Sequence, residues 1–149
     1  MNLSSSEDQA LIKESAEKFL TLNYSFEKRK EFLENKQESY KNNWKSFADL
    51  GWLGIAFSED IGGFDGNINN LMTLMESMGA ALVLEPLIFN NLITGKFFET
   101  FSHKNKKQYL KEIISGEKIY SFLFSPTDNY KNIILNTFKV KKDKNQLIL

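Results

Sequence analysis

Residues 51–66 read GWLGIAFSEDIGGFDG, and the fold turns on whether this stretch is a phosphate cradle or a junction between helices. Five of the eight glycines fall here. A phosphate loop needs its glycines between a strand and a helix, as G-x-G-x-x-G or with a following Gly-Lys-Ser/Thr. GGFDG has neither the spacing nor the lysine. Upstream, Tyr40, Trp44, Phe47 and Ala48 share one helical face, and Gly51 stands where a left-handed cap would close that helix. Downstream, Gly62, Gly63 and Gly66 allow turns, and Asn67 can cap a new helix. The stretch therefore reads as a junction, with WLGIAF packed between two helices.

Working outward, Ser6 and Gln9 have the spacing of a capping box, and Ile12, Ala16, Phe19 and Leu20 recur at helical intervals, predicting a helix over about 7–23. A short helix is expected from Ser25. On the far side, Leu71, Leu74, Met75, Met78 and Leu82 repeat at three and four, the spacing of a core-facing stripe. Met72, Met75 and Met78 read as core filler. Pro86 separates that helix from one over about 87–101, where Leu87, Ile93, Phe97 and Phe101 recur, and Ser102 is placed to cap a last helix over about 103–115 with Leu110, Ile113 and Ile114 inward and Gly116 as its stop. After Gly116 the period changes. KIYSFLFSP (118–126) and TFKVKKDKNQLIL (137–149) read as strands, the second folded about a polar turn at Asp143–Asn145. Gln146–Leu149 reads as a strand with no polar tail after it, so the sheet is expected to be incomplete, with an open edge and a tendency to self-associate. The fold class is mainly α: a helical domain over 1–117 with five to six helices, then the first strands of a β unit over 118–149.

Composition limits the function. The 149 residues, 42% apolar, suffice for one domain with a real core. Nineteen basic and nineteen acidic residues cancel, and Arg29 is the sole arginine, which argues against nucleic acid or anionic lipid as a partner. The absence of cysteine removes disulfides and thiolate chemistry. The first twenty residues mix charge into their apolar positions, unlike a leader or a membrane span, so a soluble cytoplasmic protein is expected, with no membrane partner.

The candidate chemistry is sparse. Glu59 and Asp60 are adjacent in sequence and read as solvated loop acids, not as an acid/base pair. His103, the one histidine, lacks companions for a metal site and reads as a surface residue in the first turn of a helix. Lys139, Lys141, Lys142 and Lys144 cluster near Phe138, a pattern of single-strand binders, yet the neutral balance favours a solvated hairpin. No catalytic set can be assembled.

In order, Leu50-Gly51-Trp52-Leu53-Gly54, Glu59-Asp60-Ile61-Gly62-Gly63, Glu85-Pro86, Lys107-Gln108-Tyr109-Leu110 and Ser115-Gly116-Glu117 resemble the amino-terminal part of the acyl-CoA dehydrogenases. YSFEKRKEF (24–32) and ALVLEPL (81–87) are similar to small subunits of pimeloyl-CoA-type dehydrogenases, which work beside a larger paralogous subunit. The resemblance implies FAD as cofactor, an acyl-CoA substrate, oxidation at the α and β carbons, and a homo-oligomer or a pairing with a larger paralogue. It also implies that the catalytic carboxylate lies in a carboxy-terminal domain, so that no catalytic residue is expected here and the chain alone should be inactive. For flavin contact it implies Phe122, Phe124 and Ser125, whose hydroxyl can hydrogen-bond the ring. For one wall of the acyl pocket it implies the segment Leu87 to Ile93, with Leu87, Asn90 and Asn91 as substrate-side residues. The pattern is broken at Pro126-Thr127, where relatives have Glu-Pro, and at Tyr130-Lys131, where they have the Gly-Ser that approaches the FAD pyrophosphate. A bland reading makes Phe122 and Phe124 sheet core on one face of a strand. The rival functions are a non-catalytic partner subunit and an independent helical interaction domain.

Overall fold

The computed structural model describes residues 6–34, 36–121, 141–143 and 146–148, of which 36–40 and the two strands are described by backbone alone. Phe122, Phe124, Ser125, Tyr130, Lys131, Phe138, Lys139 and Lys144 lie outside the described residues.

Among the described residues six α-helices follow in order: α1 Glu7–Asn23, α2 Phe26–Glu34, α3 Lys36–Asp49, α4 Ile68–Ala80, α5 Lys96–Thr100 and α6 Lys106–Ile114. Two 3₁₀ turns, Trp52–Gly54 and Glu59–Ile61, join α3 to α4, and a π-helical segment, Ile88–Gly95, runs directly into α5. Lys141–Asp143 (β1) and Gln146–Ile148 (β2) form an antiparallel hairpin with Lys142 opposite Leu147. The mainly helical fold is thus as expected, and Asp143 pairs with Gln146.

Local signals explain most helix ends. Ser6 Oγ accepts from Gln9 N–H at 3.2 Å while Gln9 Oε1 accepts from Ser6 N–H at 2.8 Å, a reciprocal capping box that starts α1. Asn67 Oδ1 takes the N–H groups of Asn69 and Asn70 and starts α4. Gly51 adopts φ 77°, a left-handed conformation that costs a residue with a Cβ, and its N–H donates to Ala48 O at 2.9 Å to close α3.

The main core lies where α1, α3 and α4 meet. Ala16, Leu20, Trp44, Phe47, Trp52, Leu53, Leu71, Leu74 and Met78 are buried there, and Phe19 meets Trp52 edge-on with ring centroids 5.4 Å apart. A second cluster of Phe57, Ile61, Leu110 and Ile113 sits beneath α6.

Five expectations need correction. Leu82 does not continue the stripe of α4: the helix ends at Ala80, and Leu82 turns left-handed at φ 54° with 63% of its surface exposed. Met72 is 61% exposed, since it follows buried Leu71 by one position and therefore points about a quarter-turn round the helix. Ile93, Phe97 and Phe101 are each at least 40% exposed; the buried stripe is Leu87, Asn90, Asn91, Thr94 and Gly95. Ser102 caps nothing, because α6 starts at Lys106 after Asn105, with Lys106 Nζ donating to Glu99 O to anchor its first turn. Lys118 to Ser121, expected to open a strand, are in no strand; Lys118 and Tyr120 are held by side chains instead, as described below.

Candidate functional site

The 51–66 stretch spends its backbone donors on itself. Phe64 N–H donates to Gly54 O, Asp65 N–H to Phe57 O and Gly66 N–H to Ile55 O, at 3.2, 2.9 and 2.8 Å. Gly63 is required by proximity: a Cβ there would stand 2.1 Å from Phe57 O. With these N–H groups engaged, the loop is a packed junction and offers no anion nest. Glu59 and Asp60 are exposed; the Ser58 hydroxyl donates to Asp60 and, with Lys107 3.5 Å away, holds its carboxyl below the usual range.

His103 precedes α6 instead of entering its first turn. Its ring lies between Phe101 and Tyr109, 5.8 Å from each and nearly parallel to both, and its Nδ1 accepts from Asn105 N–H. Among the described residues no group of three or more His, Cys, Asp or Glu is placed to hold a metal ion.

Leu87, Asn90 and Asn91 come together on the inner side of the π-helical segment, and all three are enclosed by the chain's own elements. Asn91 Nδ2 donates to Leu53 O at 2.5 Å, Asn90 Nδ2 donates to Asn91 Oδ1 at 3.0 Å, and Tyr120 N–H donates to Asn90 Oδ1 at 2.7 Å. Thr94 Oγ1 donates to Phe89 O, five residues back, at 2.8 Å. A polar stripe faces inward because two backbone groups there, Leu53 O and Tyr120 N–H, need partners. The outer side of the same helix carries Ile88, Phe89 and Ile93, continued by Phe97 and Phe101.

Sequence reasoning missed a second polar group beside it. Glu112 is buried on α6, where Gln108 Nε2 and Lys118 Nζ each donate to its Oε1 at 2.9 Å and the Tyr120 hydroxyl donates to its Oε2. These donors, Tyr120 first, lower its carboxyl from 4.5 to about 2. Burial, reinforced by Glu112, pushes the Tyr120 hydroxyl up. Lys118 is raised chiefly by its hydrogen bond to Glu112. Glu85 is likewise buried, accepting from Asn43 Nδ2 at 2.9 Å, and burial followed by its hydrogen bond to Glu85 raises the Tyr24 hydroxyl. The only sequence signal for either acid is a carboxylate on an apolar face.

The residues that the resemblance implies for flavin contact, Phe122, Phe124 and Ser125, lie outside the described residues. Among the described residues no helix is long and apolar enough to cross a membrane.

Comparison with known proteins bears on all of this. The profile of the acyl-CoA dehydrogenase N-terminal domain matches residues 6–117. Mitochondrial isovaleryl-CoA dehydrogenase of Pongo abelii is 25% identical over 147 residues, covering 97% of this chain and 35% of that protein. Acyl-CoA dehydrogenase FadE12 of Mycobacterium tuberculosis is 28% identical over 120 residues, covering 76% of this chain and 30% of its own. The chain thus spans about a third of the length of these curated relatives. Among solved structures, the ChsE4-ChsE5 complex from Mycobacterium tuberculosis matches with a TM-score of 0.72 at 16% identity, covering 81% of this chain and 34% of that one. The Tcur3481-Tcur3483 steroid ACAD G363A variant matches with a TM-score of 0.68 at 17% identity, over 82% and 34%. At these identities the solved structures speak for the fold alone, whereas the profile match covers most of the chain, which therefore belongs to the acyl-CoA dehydrogenase family through its amino-terminal domain.

Proposed function

We propose that this chain is the amino-terminal part of a flavin-dependent acyl-CoA dehydrogenase subunit, a soluble cytoplasmic protein of fatty-acid metabolism that is inactive in this form. The observation that carries the reading is the family match over 6–117, together with the ordered motifs from Leu50 to Glu117. Residues 1–117 form the helical domain and 118–149 open the middle β domain. FAD, bound by the complete subunit, supplies the hydride acceptor for oxidising the α,β bond of an acyl-CoA.

Within that reading the π-helical segment is one wall of the acyl pocket. Leu87, Asn90 and Asn91 fix its position from within, and Ile88, Phe89 and Ile93 give an exposed apolar surface suited to an alkyl chain. Phe122, Phe124 and Ser125 are the proposed flavin contacts. The subunit works as a homo-oligomer or beside a larger paralogue. A second reading, a non-catalytic partner subunit, draws on Tyr130 and Lys131 at the pyrophosphate position.

The test is FAD titration, followed by flavin fluorescence and gel filtration, on the 149-residue chain and on the complete subunit, with acyl-CoAs of increasing chain length then added to any flavin complex. A complete subunit that retains FAD and whose flavin is bleached by one of the acyl-CoAs supports the dehydrogenase. Retention without bleaching by any of them overturns it in favour of the partner subunit. Bleaching by the 149-residue chain alone would overturn its inactivity.

A further inference from the structure

Three stretches far apart in sequence are joined through two neighbouring asparagine side chains. Leu53 is the middle residue of the first 3₁₀ turn, Asn90 and Asn91 sit inside the π-helical segment, and Tyr120 lies in the chain leaving the helical domain. One line of amide groups joins them: Leu53 O accepts from Asn91, Asn91 Oδ1 from Asn90, and Asn90 Oδ1 from Tyr120 N–H. Asn90 is wholly buried, so no water competes for its oxygen. The orientation of its amide is fixed as well, because its nitrogen is committed to Asn91 and Asn91 is committed to a backbone carbonyl. The side chain of Tyr120 is held separately, by Glu112.

We infer that Asn90 is the positioning residue that sets where the chain leaves the helical domain relative to the π-helical segment. The functional weight of the inference rests on the reading above. Phe122 follows Tyr120 by two residues, a reach of at most about 7 Å, so Asn90 ties the proposed acyl wall to the start of the proposed flavin-contacting stretch. Gln108 and Lys118 reinforce the joint from the side by holding Glu112, while the backbone of Tyr120 is controlled by residue 90. An apolar residue at 90 would pack as well in an ordinary helix interior, but it would leave Tyr120 N–H without this acceptor.

The test needs neither acyl-CoA nor flavin, so its failure is distinct from failure of the dehydrogenase reading. In the isotope-labelled 149-residue chain, a through-hydrogen-bond coupling between the Tyr120 amide nitrogen and the Asn90 side-chain carbonyl carbon is expected, with a slowly exchanging Tyr120 amide. Absence of the coupling together with unprotected exchange overturns the inference without any variant. Asn90→Leu should then speed exchange at Tyr120 by about two- to tenfold, the worth of one net hydrogen bond, while amides of α1 and α4 keep their protection relative to global stability. Asn90→Asp retains the acceptor and should preserve Tyr120 protection even as the melting temperature falls. If Tyr120 protection instead follows melting temperature in both variants, Asn90 is only part of the packing and the inference is overturned.

Discussion

The α1/α3/α4 core and the joint between the π-helical segment, α6 and Tyr120 solve the same problem by opposite means. The first buries aromatic and aliphatic side chains whose contacts are many and undirected, with Phe47 and Trp52 at its centre and half-buried Phe19 packed against them. The second buries Asn90, Asn91, Thr94 and Glu112 and joins them through directed hydrogen bonds. Burial of apolar surface sets how stable a domain is, whereas a satisfied polar network sets which one arrangement is stable. The difference teaches that here the core supplies adhesion and the joint supplies register between segments.

The comparison breaks most severely at Leu74, which is fully buried. Leu74→Ala should cost about 2–5 kcal/mol through lost transfer energy and a residual cavity, read as a lower denaturant midpoint with unchanged slope. Asn91→Leu tests the polar side: it strands Leu53 O and Asn90 Nδ2 and should cost about 1–3 kcal/mol despite adding apolar volume. A neutral or stabilising result would mean that the joint is no more than filler.

Acid sharpens the contrast further. Glu112 titrates near 2 when folded and near 4.5 without its partners, so between these values the unfolded chain binds the proton first. Its stabilising contribution is complete above about 4.5 and is lost as the pH falls through about 2. The melting temperature of Glu112→Gln should therefore fall less steeply than that of the wild type over this window. Identical slopes would remove Glu112 from the joint. The smallest effect belongs to Ser6→Ala, which deletes an exposed cap and should cost about 1 kcal/mol, visible as faster amide exchange in the first turn of α1.

What was legible follows the same division. Helices α1 and α4 and the end of α3 could be read closely, because apolar spacing and caps are properties of a few neighbouring residues. Ser6 with Gln9, Gly51 and Asn67 each act where the sequence locates them. The helix after Pro86 was read with the right extent and the wrong face. Apolar periodicity selects Ile93, Phe97 and Phe101, but the inward positions belong to asparagines. Leu82 failed for a related reason, since its outward turn depends on the chain reversing before Glu85 and on Arg29 donating to its carbonyl at 2.8 Å. Of the candidate site, Leu87, Asn90 and Asn91 were named from the family resemblance, and the hydrogen bond between Asn90 and Asn91 could not be foreseen from it.

By itself the sequence determined the helical class, the junction at residues 51–66, the hairpin about Asp143 and membership in the acyl-CoA dehydrogenase family, since each depends on local spacing or on motifs in order. Only the tertiary structure decided which side of the π-helical segment is buried, that Glu112 is held by Gln108, Lys118 and Tyr120, and that Asn90 meets the backbone of Tyr120. The physical reason is that each of these buried asparagine side chains depends on a partner distant in sequence. For Asn91 the partner, Leu53 O, is 38 residues away, and for Asn90 the Tyr120 N–H is 30 residues away.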